Sequence, residues 1–184
     1  MVSAPAAHAS CAGGISYNGG FYYGTTAAVK AGASLPGGYL PGCDDAVAVD
    51  PATGARLTPA PAPTPVELHR IPGVPTRVAV AYDGRAALAP GWLPQVAGHP
   101  LHKLFRTAKP ASCGSAWHLR GKVQAPPLPG APVSIAARSV TLVDGTRVVG
   151  LARDGLPYLG AGDAVDATVR SCGGTLVADR VARA

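Results

Sequence analysis

The chain has 184 residues, a formal charge of +6, 24 Gly and 19 Pro. That length allows one large domain or two small ones, and no apolar run approaches the length of a membrane-spanning helix. The apolar residues are mostly Ala and Val, so at roughly 25 cal/mol per Å² buried each contributes little and small cores need staples.

Charge is unevenly placed. Residues 1–105 carry six basic and five acidic side chains, whereas residues 106–184 carry ten basic and five acidic ones. The second half is therefore the electrostatic half, and its expected partners are anionic: a cell-wall polymer, a membrane surface or nucleic acid.

In chain order, residues 1–10 read as a signal-peptide remnant or tail. Ala7-His8-Ala9-Ser10 fits a small-x-small processing site, with cleavage after Ala9. Cys11 is a poor lipidation site, because His8 stands where a lipobox has Leu. Ile15 to Tyr23 reads as a hairpin around Asn18-Gly19, a pair that supplies the positive φ angles of a tight turn. Residues 25–34 are the best of few helical candidates, and Leu35 to Gly42 reads as Pro/Gly punctuation leading to Cys43.

Alternating prolines from Thr58 to Pro65 favour an extended surface loop. Strands are expected at Val66–Ile71, Val78–Tyr82 and Arg85–Leu88, the last two joined by Asp83-Gly84. Residues 106–112 form a linker. Beyond it, strands are expected at Trp117–Gln124, Val133–Val143, Thr146–Ala152, Val165–Cys172 and Thr175–Val181, with Asp144-Gly145 turning the second into the third. Five short strands in so few residues suggest a closed or partly open barrel of the OB type. The expected architecture is all-β, with two small disulfide-stapled domains at residues 11–105 and 113–184, the second OB-like.

The first half resembles a family of uncharacterised secreted or lipid-anchored proteins from actinobacteria. The resemblance rests on Cys11, the aromatic hairpin Tyr17-Asn18-Gly19-Gly20-Phe21-Tyr22-Tyr23-Gly24, the element Leu40-Pro41-Gly42-Cys43-Asp44-Asp45, and the segment Ile71 to Val80. It covers roughly residues 11–90 and implies a two-cysteine extracytoplasmic domain. It transfers no catalytic residue.

Four cysteines allow three connectivities. The pairs Cys11–Cys43 and Cys113–Cys172 are favoured because each stays within one candidate domain, and paired cysteines point to an oxidising compartment. No Cys-x-x-Cys or Cys/His ligand spacing supports zinc. Asp44, Asp45 and Asp50 lack the Asp-x-Asp-x-Asp-Gly pattern of a calcium loop. His99 and His102 are three apart, but Pro100 between them argues against a helical metal pair. A nucleophile elbow and a phosphate-cradling loop are both missing.

The expectation is thus a non-enzymatic, exported envelope protein without a cofactor or metal. Its basic domain would contact an anionic wall polymer or envelope protein through Trp117, Arg120, Lys122, Arg138, Arg147, Arg153, Tyr158 and Arg170. Nucleic acid is disfavoured, since it requires a cytoplasmic chain with reduced cysteines. The alternative is an envelope enzyme or inhibitor acting through first-domain loops around Asp44, Asp45 and His69.

Overall fold

A computed structural model of the chain describes residues 14–42, 50, 52–54 and 62–184. The cleavage-like segment, Cys11, Cys43, Asp44 and Asp45 lie outside the described residues. The fold is all-β, built as two barrel-like sheets joined by a loop-rich wedge.

The first sheet is a closed barrel of six antiparallel strands: β1 (Gly14–Tyr17), β2 (Gly20–Ala28), β3 (Ser34–Leu40), β4 (Thr64–His69), β5 (Ala79–Tyr82) and β6 (Arg85–Leu88), in the order β1-β2-β6-β5-β4-β3. The Ser16–Tyr39 pairing of β1 with β3 closes it. Both expected hairpins form: Asn18 and Asp83 each take a φ of 48°, followed by Gly19 at 74° and Gly84 at 68°, as tight hairpin turns require.

Ile15, Tyr22, Leu35, Leu68, Val80 and Ala87 fill the barrel. Strand β5 is buried on both faces, because Ala79 and Ala81 point the other way, into a second cluster with Ile71, Val78, Leu88, Trp92 and Leu101. A strand covered on both sides reads as a continuous apolar run rather than an alternation.

Two first-half expectations are corrected. Residues 25–34 are not helical: β2 continues to Ala28, and Thr25 Oγ1 donates to the Ala86 carbonyl at 2.8 Å while accepting from Ala27 N at 3.2 Å. The threonine thus bridges a register shift between Gly24 and Ala28. Leu35–Gly42 is mostly strand β3 rather than punctuation; Gly37, with φ of 86°, lies inside a register shift against β4, so the strand bends without ending.

The second sheet holds five strands in the order β7-β12-β13-β9-β8: β7 (Trp117–Lys122), β8 (Val133–Ile135), β9 (Arg138–Val149), β12 (Ala164–Cys172) and β13 (Thr175–Arg183). Strands β13 and β9 run parallel, and a Val123–Ile135 bridge brings β8 back toward β7. This is the partly open OB-like barrel that the strand count suggested. A two-stranded hairpin, β10 (Ala152–Arg153) and β11 (Leu156–Pro157), is inserted between β9 and β12. The Cys113–Cys172 disulfide ties the approach to β7 to the end of β12.

Two expectations in this barrel are corrected. The expected strand Val133–Val143 is broken by a tight turn at Ala136-Ala137, with φ values of 49° and 61°. The chain then runs straight through Asp144-Gly145. Gly145, at φ of 95°, makes a bulge there, and the buried Thr146 Oγ1 holds it by accepting from Val143 N at 2.9 Å and donating to the Ala178 carbonyl at 2.7 Å. A buried hydroxyl with both roles satisfied outweighs the turn propensity of Asp-Gly.

The wedge, residues 90–105, belongs to both cores. Trp92 and Leu101 pack with the first barrel, whereas Leu93 and Val96 are buried among Leu119, Val133, Leu142 and Val165 of the second.

Candidate functional site

The outer face of the second sheet follows from the pleat. On β12, Val165, Ala167 and Val169 are buried, so Asp166, Thr168 and Arg170 face outward. Register carries this face across the sheet. Asp166 pairs with Arg120 on β7, Thr168 lies between His118 and Arg180, and Arg180 is the parallel partner of Arg147 on β9.

Asp166 is the anionic hub of one side. It accepts from Arg120 Nε at 2.8 Å and lies 2.9 Å from His118 Nδ1. Those two contacts, with His118 the larger, hold its carboxyl below the usual carboxylate range. Asp179 plays the same part near the disulfide, accepting from Lys109 Nζ and from Arg170 Nε, each at 2.6 Å, and its carboxyl is likewise held low. Arg170 is therefore already paired.

Lys122, Arg147 and Arg180 are different. None of them has a carboxylate partner among the described residues. Arg147 and Arg180 sit side by side on neighbouring strands, where strand spacing is about 4.8 Å and like charges repel. Beside them a cleft of about 380 Å³ is lined by Arg120, Asp166, Arg180, Ala182 and Arg183.

The eight residues expected to form one surface thus fall into three groups. Arg120, Lys122, Arg147 and Arg170 share the outer face. Trp117, 37 % exposed, stacks under the Arg138 guanidinium, 5.5 Å from its ring centre. Arg153 and Tyr158 lie together at the inserted hairpin, the guanidinium 4.9 Å from the ring centre, on the side facing the first barrel. Arg180 was not expected at this face. The cause is a β-bulge between Ala178 and Arg180 that reverses the side-chain alternation. Arg183, by contrast, pairs with the buried Val165 on the other side of the pleat and donates from Nε to the Gly150 carbonyl at 3.1 Å.

The wedge carries the other polar cluster. His99 is 4 % exposed; its Nδ1 accepts from Leu101 N at 3.2 Å, and its Nε2 has no hydrogen-bond partner among the described residues. Burial, reinforced by neighbouring His102, lowers its pKa to about 4. His102 Nε2 lies 3.2 Å from Asp144 Oδ1, and Arg106 Nε donates to Asp144 Oδ2 at 2.8 Å. No group of three His, Cys, Asp or Glu side chains placed to hold a metal ion occurs among the described residues. In the first barrel, His69 lies 3.4 Å from Glu67 and shares an open pocket with Tyr82 and Asp83.

A family model matches residues 5–101, just over half of the chain. The chain belongs to DUF6281, a family of unknown function. The match covers the whole six-stranded barrel and ends inside the wedge, so the basic barrel lies beyond it. No curated protein and no solved structure matches the chain.

Proposed function

We propose that the chain is an extracytoplasmic, non-catalytic binding module of the cell envelope. In this reading the outer face of the second barrel contacts an anionic wall polymer or envelope protein. The adjacent Arg147 and Arg180, without a carboxylate partner among the described residues, carry the proposal, because two like charges in register lower their mutual repulsion most readily by sharing an anion. Arg120 and Lys122 extend the basic strip. Export is supported by the Cys113–Cys172 bridge; no helix among the described residues is long and apolar enough to cross a membrane. A pulldown on purified cell wall tests the reading. Binding at low salt and release at high salt is the expected result, and absent or salt-insensitive binding rejects it.

A second reading, an envelope enzyme or inhibitor acting through the first barrel, is favoured by one observation. His69, Glu67, Tyr82 and Asp83 do line a concave pocket, of about 380 Å³. His69→Ala would then abolish activity on wall substrates or inhibition of wall enzymes while leaving polyanion binding intact.

A further inference from the structure

A further cleft, of about 310 Å³, lies where the two barrels meet. Its walls come from three separate parts of the chain: Phe21 at the first hairpin, Arg77 and Trp92 flanking strands β5 and β6, and Arg153, Asp154 and Tyr158 of the inserted hairpin. The five-stranded sheet forms without that insertion; β10 and β11 pack Leu156 and the adjoining Tyr158 against the first-barrel cluster and supply one wall of the cleft.

The hairpin is tied to the wedge and to the segment that precedes β5. Leu159 N donates to the Gly91 carbonyl at 2.9 Å, Leu93 N donates to the Pro157 carbonyl at 3.2 Å, and Arg77 Nε donates to Asp154 at 2.8 Å. Trp92 and Tyr158 meet edge to face with ring centres 5.0 Å apart. Gly91 makes this possible: its φ is 89°, and a Cβ there would fall 2.5 Å from the Tyr158 ring. The result is a rigid aromatic wall, a common setting for ligand sites at domain junctions.

The charges on that wall are unbalanced. Asp154 neutralises one guanidinium through a single Nε contact, which leaves both terminal nitrogens of Arg77 without partners among the described residues. Arg153 has no carboxylate partner among the described residues and lies over the Tyr158 ring, 4.9 Å from its centre. A guanidinium held over a ring keeps its donor fork available for a carboxylate.

We infer that this junction cleft binds a carboxylate carried on a six-membered ring, with Arg153 taking the carboxylate, the Phe21 and Tyr158 side chains taking the ring, and the buried Trp92 backing Tyr158 from below. Uronic-acid sugars and aromatic acids share that chemistry. The site is separate from the outer basic face and does not depend on it.

The full chain with Trp117→Phe leaves Trp92 as the sole tryptophan reporter. It would be titrated with digalacturonate, with benzoate and with a neutral disaccharide, following Trp92 emission and calorimetric heat in parallel. Saturable binding of either acid supports the site and identifies its source as sugar or aromatic. Adding Arg153→Gln should weaken binding at least about tenfold, whereas Arg147→Gln with Arg180→Gln should leave it unchanged. Arg153 is exposed, so an unchanged melting temperature verifies that its variant is folded. Equal binding of the neutral sugar, undiminished binding by the Arg153→Gln variant, or no saturable signal from either acid in both measurements overturns the inference.

Discussion

Ala136 and Ala137 both sit in the left-handed region, at φ of 49° and 61°. A side chain with a Cβ is disfavoured there by about 1–2 kcal/mol per residue. Both are exposed, so Ala137→Gly should stabilise the protein by about 1 kcal/mol, read as a higher urea midpoint with an unchanged slope. An unchanged or lower midpoint would show that the turn is not strained. The same two residues explain why the hairpin was missed in the sequence. Ala-Ala carries no turn signal, whereas Asp144-Gly145 carries a strong one; what overrides it is the Thr146 hydroxyl contact to β13, which is long-range. The Asn18-Gly19 and Asp83-Gly84 turns were legible because there the local chemistry and the packing agree.

His99 gives the second test at this scale. Its folded pKa, about 4, lies below the ordinary histidine value of 6.5. Below pH 6.5 the unfolded chain takes up a proton that the folded one refuses. Stability should therefore be full above pH 6.5 and fall by about 2–3 kcal/mol as pH drops to 4, flattening below that. The low carboxyls of Asp144, Asp166 and Asp179 act in a separate, more acidic window, where protonation removes their pairings. Urea titrations across pH 4–7.5 should show the slope in the wild type and lose it in His99→Gln. Its persistence in that variant would place the proton elsewhere.

Among the elements, β12 and β13 are the best ordered by sequence. Their Gly173-Gly174 turn and alternating Val residues located them within a residue or two. What alternation did not reveal was the bulge that turns Arg180 outward, since its cause lies in the simultaneous antiparallel and parallel neighbours of β13. The basic surface is accordingly legible as a charge excess but not as a face: Arg120, Lys122, Arg147 and Arg170 share the outer face, Trp117 and Arg138 pair apart from it, and Arg153 and Tyr158 belong to the junction. The Cys113–Cys172 bridge closes a loop over a sequence separation of 59 and anchors this same sheet. Replacing both cysteines by Ser should cost about 4 kcal/mol on the chain-entropy account. A loss below about 1 kcal/mol in denaturant midpoints would mean that the loop is already ordered without the bridge.

The whole molecule joins a family-defined barrel with a nearly neutral sequence to a basic barrel outside the family match, through a wedge that is core to both. Leu93 and Val96, buried in the second barrel, make the two units one packing problem rather than beads on a linker. No local pattern reveals this, because a buried Leu in a loop and an exposed one look alike in sequence.

The central claim is that the outer basic face meets a polyanion through Arg147 and Arg180. The most direct measurement is the affinity of the full chain for a purified anionic wall polymer across a range of salt concentrations, with and without Arg147→Gln and Arg180→Gln. The expected result is an affinity that falls steadily with salt, and a double variant that binds at least about tenfold more weakly with a shallower salt slope. An affinity indifferent to salt, or a double variant that binds as the wild type does, would contradict it.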